Sequence, residues 1–396
     1  MSAATADAPA AVQTRLLTPG PTAVPPQVLD ELAKPIIHHR TKQFRAIFKE
    51  LGRQLQWLYQ TKGPVVSIAG SGTTAFEAAQ VCLAKPNSTV ITVAGGKFGE
   101  RWQDVFDAYA AALNLNIIRI NHAWGTPAPL DQIAFTLKEH PQASLVTVVH
   151  SETSTATVSD VQAIARLTQN TDALLAVDGI TSVGAMPVAM DDWGIDCLVT
   201  GSQKAMMLPP GLGYVGLGPR ALKRLDQING KLPAYNLDLR KWVKAWKDDD
   251  VPFTPPVSLI RAQKVALDMI QQAGLEETFA RTRRLADGTR AAFAAMGLKL
   301  ISQSPSDSVT GAFYPKGVDD SKFRAACRDG HGIHLAGGQD GRGAKWKVSI
   351  FRISHMGYVS AEDTVAGLTA IAAELNNQGY RCDATKALDA FQAAHD

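Results

Sequence analysis

The chain has 396 residues, with 40 Lys or Arg against 37 Asp or Glu and a formal charge of +3. That balance argues against a strongly basic nucleic-acid or membrane-surface binder. A hydrophobic content of 45% and a charged content of 19% describe an ordinary globular protein, long enough for two domains. The four cysteines, Cys82, Cys197, Cys327 and Cys382, lie far apart with no CxxC pair. They form neither a disulfide framework nor a zinc or iron–sulfur motif, and they fit a reducing compartment.

No apolar run reaches the roughly 18–20 residues of a membrane helix. The first stretch, MSAATADAPAAVQTR, is Ala-rich but has no basic segment followed by a continuous apolar one. Residues 1–15 read as a loose leader rather than a signal peptide. The final AHD is not a peroxisomal address, and the expected location is the cytoplasm. From Pro64 the chain alternates. VVSIA reads as a strand and SGTTAFEAAQVCLA as a helix; STVITVA as a strand and FGERWQDVFDAYAAAL as a helix; LNIIRI as a strand and LDQIAFTLKEH as a helix. SLVTVVH, VSDVQAIARLTQN, ALLAVD and DCLVTG continue the pattern as strand, helix, strand and strand. The strands are continuous Val/Ile/Leu runs, the mark of a mostly parallel sheet covered on both faces. A doubly wound α/β domain follows from that alternation.

After GYVGLG (213–218) the pattern changes. Residues 241–256, KWVKAWKDDDVPFTPP, read as a charged, Pro-rich loop, and two long helices are expected over 257–272 and 275–296. The remainder mixes strands (KLIS, SVTGAFY, WKVSIFRIS) with helices (DDSKFRAACRDG, SAEDTVAGLTAIAAEL), an α+β pattern. The expected division is a large domain over 16–290, whose 16–45 segment packs over the site, and a small C-terminal domain over 291–396.

Three features fall on one rim of the sheet. AGSGTTA (69–75) follows a strand and opens a helix, so its backbone N–H groups suit a phosphate. Gly70, Gly72 and Ala75 also fit a dinucleotide fingerprint, but the next strand carries no acidic residue until Glu100. A plain tight turn remains open. Asp178 closes the apolar strand ALLAVD, where a carboxylate needs a cation or hydrogen bonds; a turn aspartate is the plainer reading. Lys204 follows the next strand and stands in an apolar setting, where desolvation makes an amine nucleophilic. A phosphate cradle, a carboxylate for a pyridinium nitrogen and a lysine for an aldehyde together describe a pyridoxal phosphate site.

LTPGPTAVPPQVL, IIHHRTKQF, GSGTTAFEAA, HSETSTA, AVDGITSVG, GSQKAMMLPPG and FRISHMG follow one another in an order that resembles the class V aminotransferases of fold type I. The resemblance is to the alanine–glyoxylate and serine–glyoxylate (serine–pyruvate) group and spans about residues 15–380. It implies a large domain with a mostly parallel seven-stranded sheet between helices, a smaller α+β domain, and transamination from alanine or serine to glyoxylate or pyruvate. By the family pattern Lys204 carries the cofactor aldehyde and then shuttles the proton, and Asp178 pairs with the pyridine nitrogen. Ser71, Gly72, Thr73 and Gln203 match the phosphate cup, Thr153 the partner of the phenolic oxygen, and Phe98 the stacking ring, often Trp in relatives. Arg352 matches the clamp on the substrate carboxylate, with a buried structural ion pair as the alternative. Gly20, within TPGPT, belongs to the stretch over the site, and Arg40 to its entrance or to the scaffold. Thr254 matches a residue that reaches the phosphate in a neighbouring subunit, which implies a homodimer with shared sites. Relatives often carry tyrosine three positions earlier, where this chain has Val251.

Two alternatives have features that would mark them. A desulfurase of the same fold needs a reactive cysteine, and the best candidate, Cys327, lies in a helix-like stretch as a core thiol would. A hydrogenase-subunit role, a label some relatives have carried, would need clustered ligands, and His331 with His334 is one isolated pair. No metal is expected. Ureidoglycine remains open as a donor.

Overall fold

The computed structural model describes residues 13–396, so residues 1–12 of the expected leader lie outside the described residues. Arg15, the leader's last residue, is tied down: Arg15–Leu16 pairs in parallel with Ile333–His334. The central sheet has seven strands in the order Val65–Gly70, Gly211–Leu217, Cys197–Gly201, Leu174–Asp178, Ala143–Val149, Thr89–Ala94 and Asn116–Asn121. Gly211–Leu217 runs antiparallel to both its neighbours, and the other six are parallel. Every residue of Thr89–Ala94, Ala143–Val149, Leu174–Asp178 and Cys197–Gly201 is buried. That two-sided burial explains why these strands are unbroken apolar runs.

Six described helices add to those read from sequence: Pro26–Leu32, Lys42–Tyr59, Met190–Trp193, Pro219–Asp226, Leu239–Trp246 and Ala384–His395. The Thr41 hydroxyl accepts the Phe44 N–H at 3.2 Å and starts Lys42–Tyr59. Leu239–Trp246 corrects the first six residues of the expected loop over 241–256, while 247–256 are turn and loop. Asp238 caps it through the Arg240 N–H, and Leu239, Trp242 and Val243 are buried at helical spacing. Its lysines fall on the other face, so charge alone concealed the helix.

A second core is built on the three-stranded antiparallel sheet Val309–Phe313, Ile350–Ser354 and Ala336–Gly337. Helices Asp320–His331, Ala361–Asn377 and Ala384–His395 cover it. KLIS supplies no strand, only a bridge between Leu300 and Ala312. The helix Leu275–Ala295 runs unbroken through the division expected at 290, and Leu285, Ala292 and Phe293 already belong to the second core. Leu17, from the other end of the chain, also packs there at 1% exposure. The N-terminal segment therefore starts in the second core and crosses to the large sheet. Leu17→Ala should destabilise the protein by about 2–5 kcal/mol, the usual loss for a fully buried leucine. Denaturant unfolding followed by circular dichroism reads that change.

Candidate active site

Three strands end at one edge of the sheet and deliver the chemistry. Gly70 ends the first and pairs with Gly211; Gly201 ends the second and pairs with Gly213; Asp178 ends the third and pairs with Val149 and Val199. The Lys204 strand lies between the Asp178 strand and the Ser71 turn. A cavity of about 240 Å³ opens there, lined by Ser71, Gly72, Thr73, Phe98, Thr153, Asp178, Gln203 and Lys204. Eight residues singled out from sequence thus converge on one space.

The Lys204 amine donates to the Pro19 carbonyl at 2.6 Å. The Thr22 N–H donates to the Gln203 carbonyl at 3.1 Å and the Thr22 hydroxyl to the Lys204 carbonyl at 2.8 Å. These bonds fold the N-terminal segment over the lysine turn. Gly20 sits at φ +134°, and a Cβ there would run into the Lys204 amine, so only glycine permits this approach. Burial, with the nearby Arg352 and Arg101 charges, pulls the Lys204 amine down to about 8, against the opposing pull of Asp178.

Asp178 is 3% exposed. Burial pushes its carboxyl up to about 6, while the Ile180 N–H at 2.9 Å and the Trp102 indole N–H at 3.2 Å hold the charged form. Trp102 is fixed in turn by stacking on Phe76, ring centroids 4.4 Å apart. Glu152 organises the neighbouring helix start. Its buried carboxylate accepts the Phe98 and Gly99 N–H groups, both at 3.0 Å, and so anchors Lys97–Leu113 at its positive end.

Arg352 lies in the second core's sheet at 5% exposure, within the strand Ile350–Ser354. Its Nε and Nη2 donate to the Gly337 carbonyl at 3.1 and 2.7 Å, and its Nη1 donates to the Thr153 carbonyl at 2.6 Å. Three of five N–H groups are used, which leaves one on each terminal nitrogen. Among the described residues no carboxylate pairs with it directly. Arg40 and Thr254 do not reach the cavity of their own chain. Arg40 donates to Asp250 at 2.8 Å and to the Val251 carbonyl at 3.3 Å, and Thr254 is exposed.

Sequence reading passed over Arg101, Trp102 and Ile180. Arg101 and Ile180 line the cavity. The signal was available for two of them: Arg101 and Trp102 stand three and four residues after Phe98, on the same face of one helix. The isolated His331 is engaged elsewhere, in a 2.9 Å contact with Glu374. Among the described residues no three His, Cys, Asp or Glu side chains gather as a metal-ligand set. Cys327 is buried in the second core, with its thiol pushed up to about 12 by burial.

The aminotransferase class-V family model matches residues 14–366. The chain belongs to the class V aminotransferases. It is 40% identical over 92% of its length to a Synechococcus protein named soluble hydrogenase, small subunit, 94% of which is covered. It is 32% identical over 90% of its length to the L-aspartate–glyoxylate aminotransferase of Paracoccus denitrificans, 89% of which is covered. The pyridoxamine–pyruvate aminotransferase structure from Mesorhizobium loti superposes with a TM-score of 0.90 at 28% identity, covering 98% of both chains. The fold is that of the fold type I enzymes, the activity is amino-group transfer, and the cofactor is pyridoxal phosphate.

The residues of this aminotransferase fit that cofactor. A Cβ on Gly72 would strike Ile180, so glycine keeps the turn close to the cavity floor. Gln203 lines the same cavity, where its side-chain N–H groups can donate to a phosphate oxygen. Because the Lys204 amine is drawn down to about 8, its neutral form grows as pH rises through that value. In cofactor-free protein, reductive methylation of Lys204 should therefore rise with a midpoint near pH 8, while exposed lysines follow near ~10.4. Peptide mass spectrometry across a pH series reads both.

Proposed function

We propose that this aminotransferase moves the amino group of a small amino acid, alanine or serine, to a 2-oxo acid such as glyoxylate or pyruvate. The observation that carries this reading is the placement of Lys204 and Asp178 on one small cavity, with Arg352 tied to its Thr153 wall. Bound pyridoxal phosphate supplies an aldehyde for the amino group and a protonated ring that accepts the electrons released at Cα. The Ser71–Thr73 turn, with its helix-start N–H groups and hydroxyls, would hold the phosphate, and Gln203 would meet it from the facing strand end. Asp178 would hold a proton on the ring nitrogen; burial makes its charge dependent on such a cation. Phe98 would cover one face of the ring, and the Thr153 hydroxyl would steady its phenolic oxygen.

Lys204 would take the proton from the donor's Cα and return it, across the intervening nitrogen, to the carbon that carried the aldehyde, the work of a single base with an amine close to neutral pH. The Pro19 carbonyl beside it aims the amine. The two unused N–H groups of Arg352 suit an α-carboxylate in bidentate fashion. Discrimination among alanine, serine, aspartate and ureidoglycine as donor turns on small groups, and one methylene in an apolar pocket is worth only about 1–3 kcal/mol.

A homodimer with shared sites belongs to this reading. Thr254 and the Arg40–Asp250 pair lie on an outer face away from their own cavity, where they would serve a second copy. The cytoplasm suits a chain with three buried, unpaired cysteines. The hydrogenase name of one relative belongs to that protein; a purified enzyme with no aldimine absorbance after pyridoxal phosphate is added would reopen it.

Lys204→Ala should fold, as circular dichroism would show, and lose transaminase turnover; full activity would overturn the assignment. A panel of donors against glyoxylate and pyruvate, read by the conversion of the cofactor to its amine form, identifies the substrate pair. Arg352→Ala should raise KM for donor and acceptor by about tenfold or more, the effect of losing charge-assisted bonds. Unchanged KM values would make Arg352 a structural residue.

A further inference from the structure

Arg101 is a cation without an anion. It lines the cavity, and its one hydrogen bond within the protein goes from Nη1 to the Thr73 hydroxyl at 3.2 Å, a neutral acceptor. It makes no ion pair among the described residues. Its guanidinium lies 4.9 Å from the centre of the Phe98 ring, three positions earlier on the same helix, which fixes its direction. The Glu152 carboxylate pins that helix start through the Phe98 and Gly99 N–H groups. Asp178, the nearby carboxylate on the cavity wall, already receives the Ile180 and Trp102 N–H groups.

The phosphate cup proposed above is otherwise neutral. Ser71, Gly72, Thr73 and Gln203 bring hydroxyls, backbone N–H groups and an amide, but no full positive charge. A full positive charge would strengthen the hold on a phosphate dianion, since charge-assisted bonds are roughly twice as strong as neutral ones. Val251 stands where relatives of the same pattern often place a tyrosine donor, and it is buried at 2% exposure. An apolar side chain there supplies no hydrogen bond.

We propose that Arg101 is a direct ligand of the cofactor's phosphate, the cationic member of a cup that Thr73 connects to it and that Val251 leaves one donor short. The inference rests on assigning the Ser71–Thr73 turn to the phosphate. A substrate carboxylate is the competing anion, but Arg352 keeps one N–H on each terminal nitrogen for that group, whereas Arg101 touches the phosphate turn.

The test compares two ligands that differ only by the phosphate. Full-length protein freed of cofactor is titrated with pyridoxal 5'-phosphate and with pyridoxal, followed by absorbance, for wild type, Arg101→Gln and Arg101→Lys. Arg101→Gln should weaken pyridoxal 5'-phosphate by about tenfold or more and leave pyridoxal within about twofold, as expected for one charge-assisted contact. Arg101→Lys should recover part of the loss, and pyridoxal binding itself reports a folded site. Equal losses on both ligands, or none on either, would overturn the inference. So would an unchanged cofactor affinity with a raised KM for the amino donor, which would place Arg101 on the substrate. If wild type itself shows no preference for the phosphate ester, the assignment of the turn falls and the inference falls with it. If wild type shows the preference and Arg101→Gln keeps it, only the inference fails.

Discussion

Lys204 brings one amine into a cavity that feels two guanidinium groups and a single buried carboxylate. Burial and the charges of Arg352 and Arg101 disfavour its ammonium form, and Asp178 favours it. The balance leaves the amine near 8, where it can both attack a carbonyl and carry a proton. Everything around it maintains that balance. The Pro19 carbonyl aims it, Gly20 leaves it room, and Thr22 ties the covering segment to its backbone. A lysine of the same sequence context in open water would be a solvated ammonium and a poor base.

The geometry depends on parallel strands ending together. Six of seven strands run the same way, so their carboxyl ends and the loops after them collect at one edge. The one antiparallel strand, Gly211–Leu217, lies between the Lys204 strand and the strand that leads into the Ser71 turn and spaces the two apart. Both cores contribute. Arg352 comes from the second core's sheet and is bonded to the Thr153 carbonyl in the turn after Ser151–Glu152, and the N-terminal segment starts in the second core and ends over the lysine. A substrate carboxylate held by Arg352 would thus be held by one core against a cofactor held by the other. Loss of packing in the second core, far from Lys204, is expected to disturb the site through that route.

The elements most readable in the sequence were those buried on both faces. Thr89–Ala94, Ala143–Val149 and Leu174–Asp178 are continuous apolar runs because both sides must leave water. Leu239–Trp246 was misread for the opposite reason. Only one of its faces is buried, and the charged, Pro-rich residues 247–256 that follow it dominated the reading. KLIS looked like a strand by residue type, but it meets the second sheet through a single bridge. Arg101 was overlooked because its neighbours along the chain, Glu100 and Trp102, give no hint of a ligand. Its meaning comes from Phe98 and Thr73, one on the same helix face and the other 28 positions away.

By itself the sequence determined the alternation of strands and helices, the family, and the lysine, aspartate and Gly-rich turn that meet at one cavity. These are local: burial sets the strand pattern, and the reaction demands particular residue types at strand ends. Tertiary structure alone decided which charges surround Lys204, which carbonyls occupy Arg352, and that Arg101 is left without an anion. Those depend on distances between residues remote in sequence, and a charge's effect falls with distance and dielectric rather than with chain position.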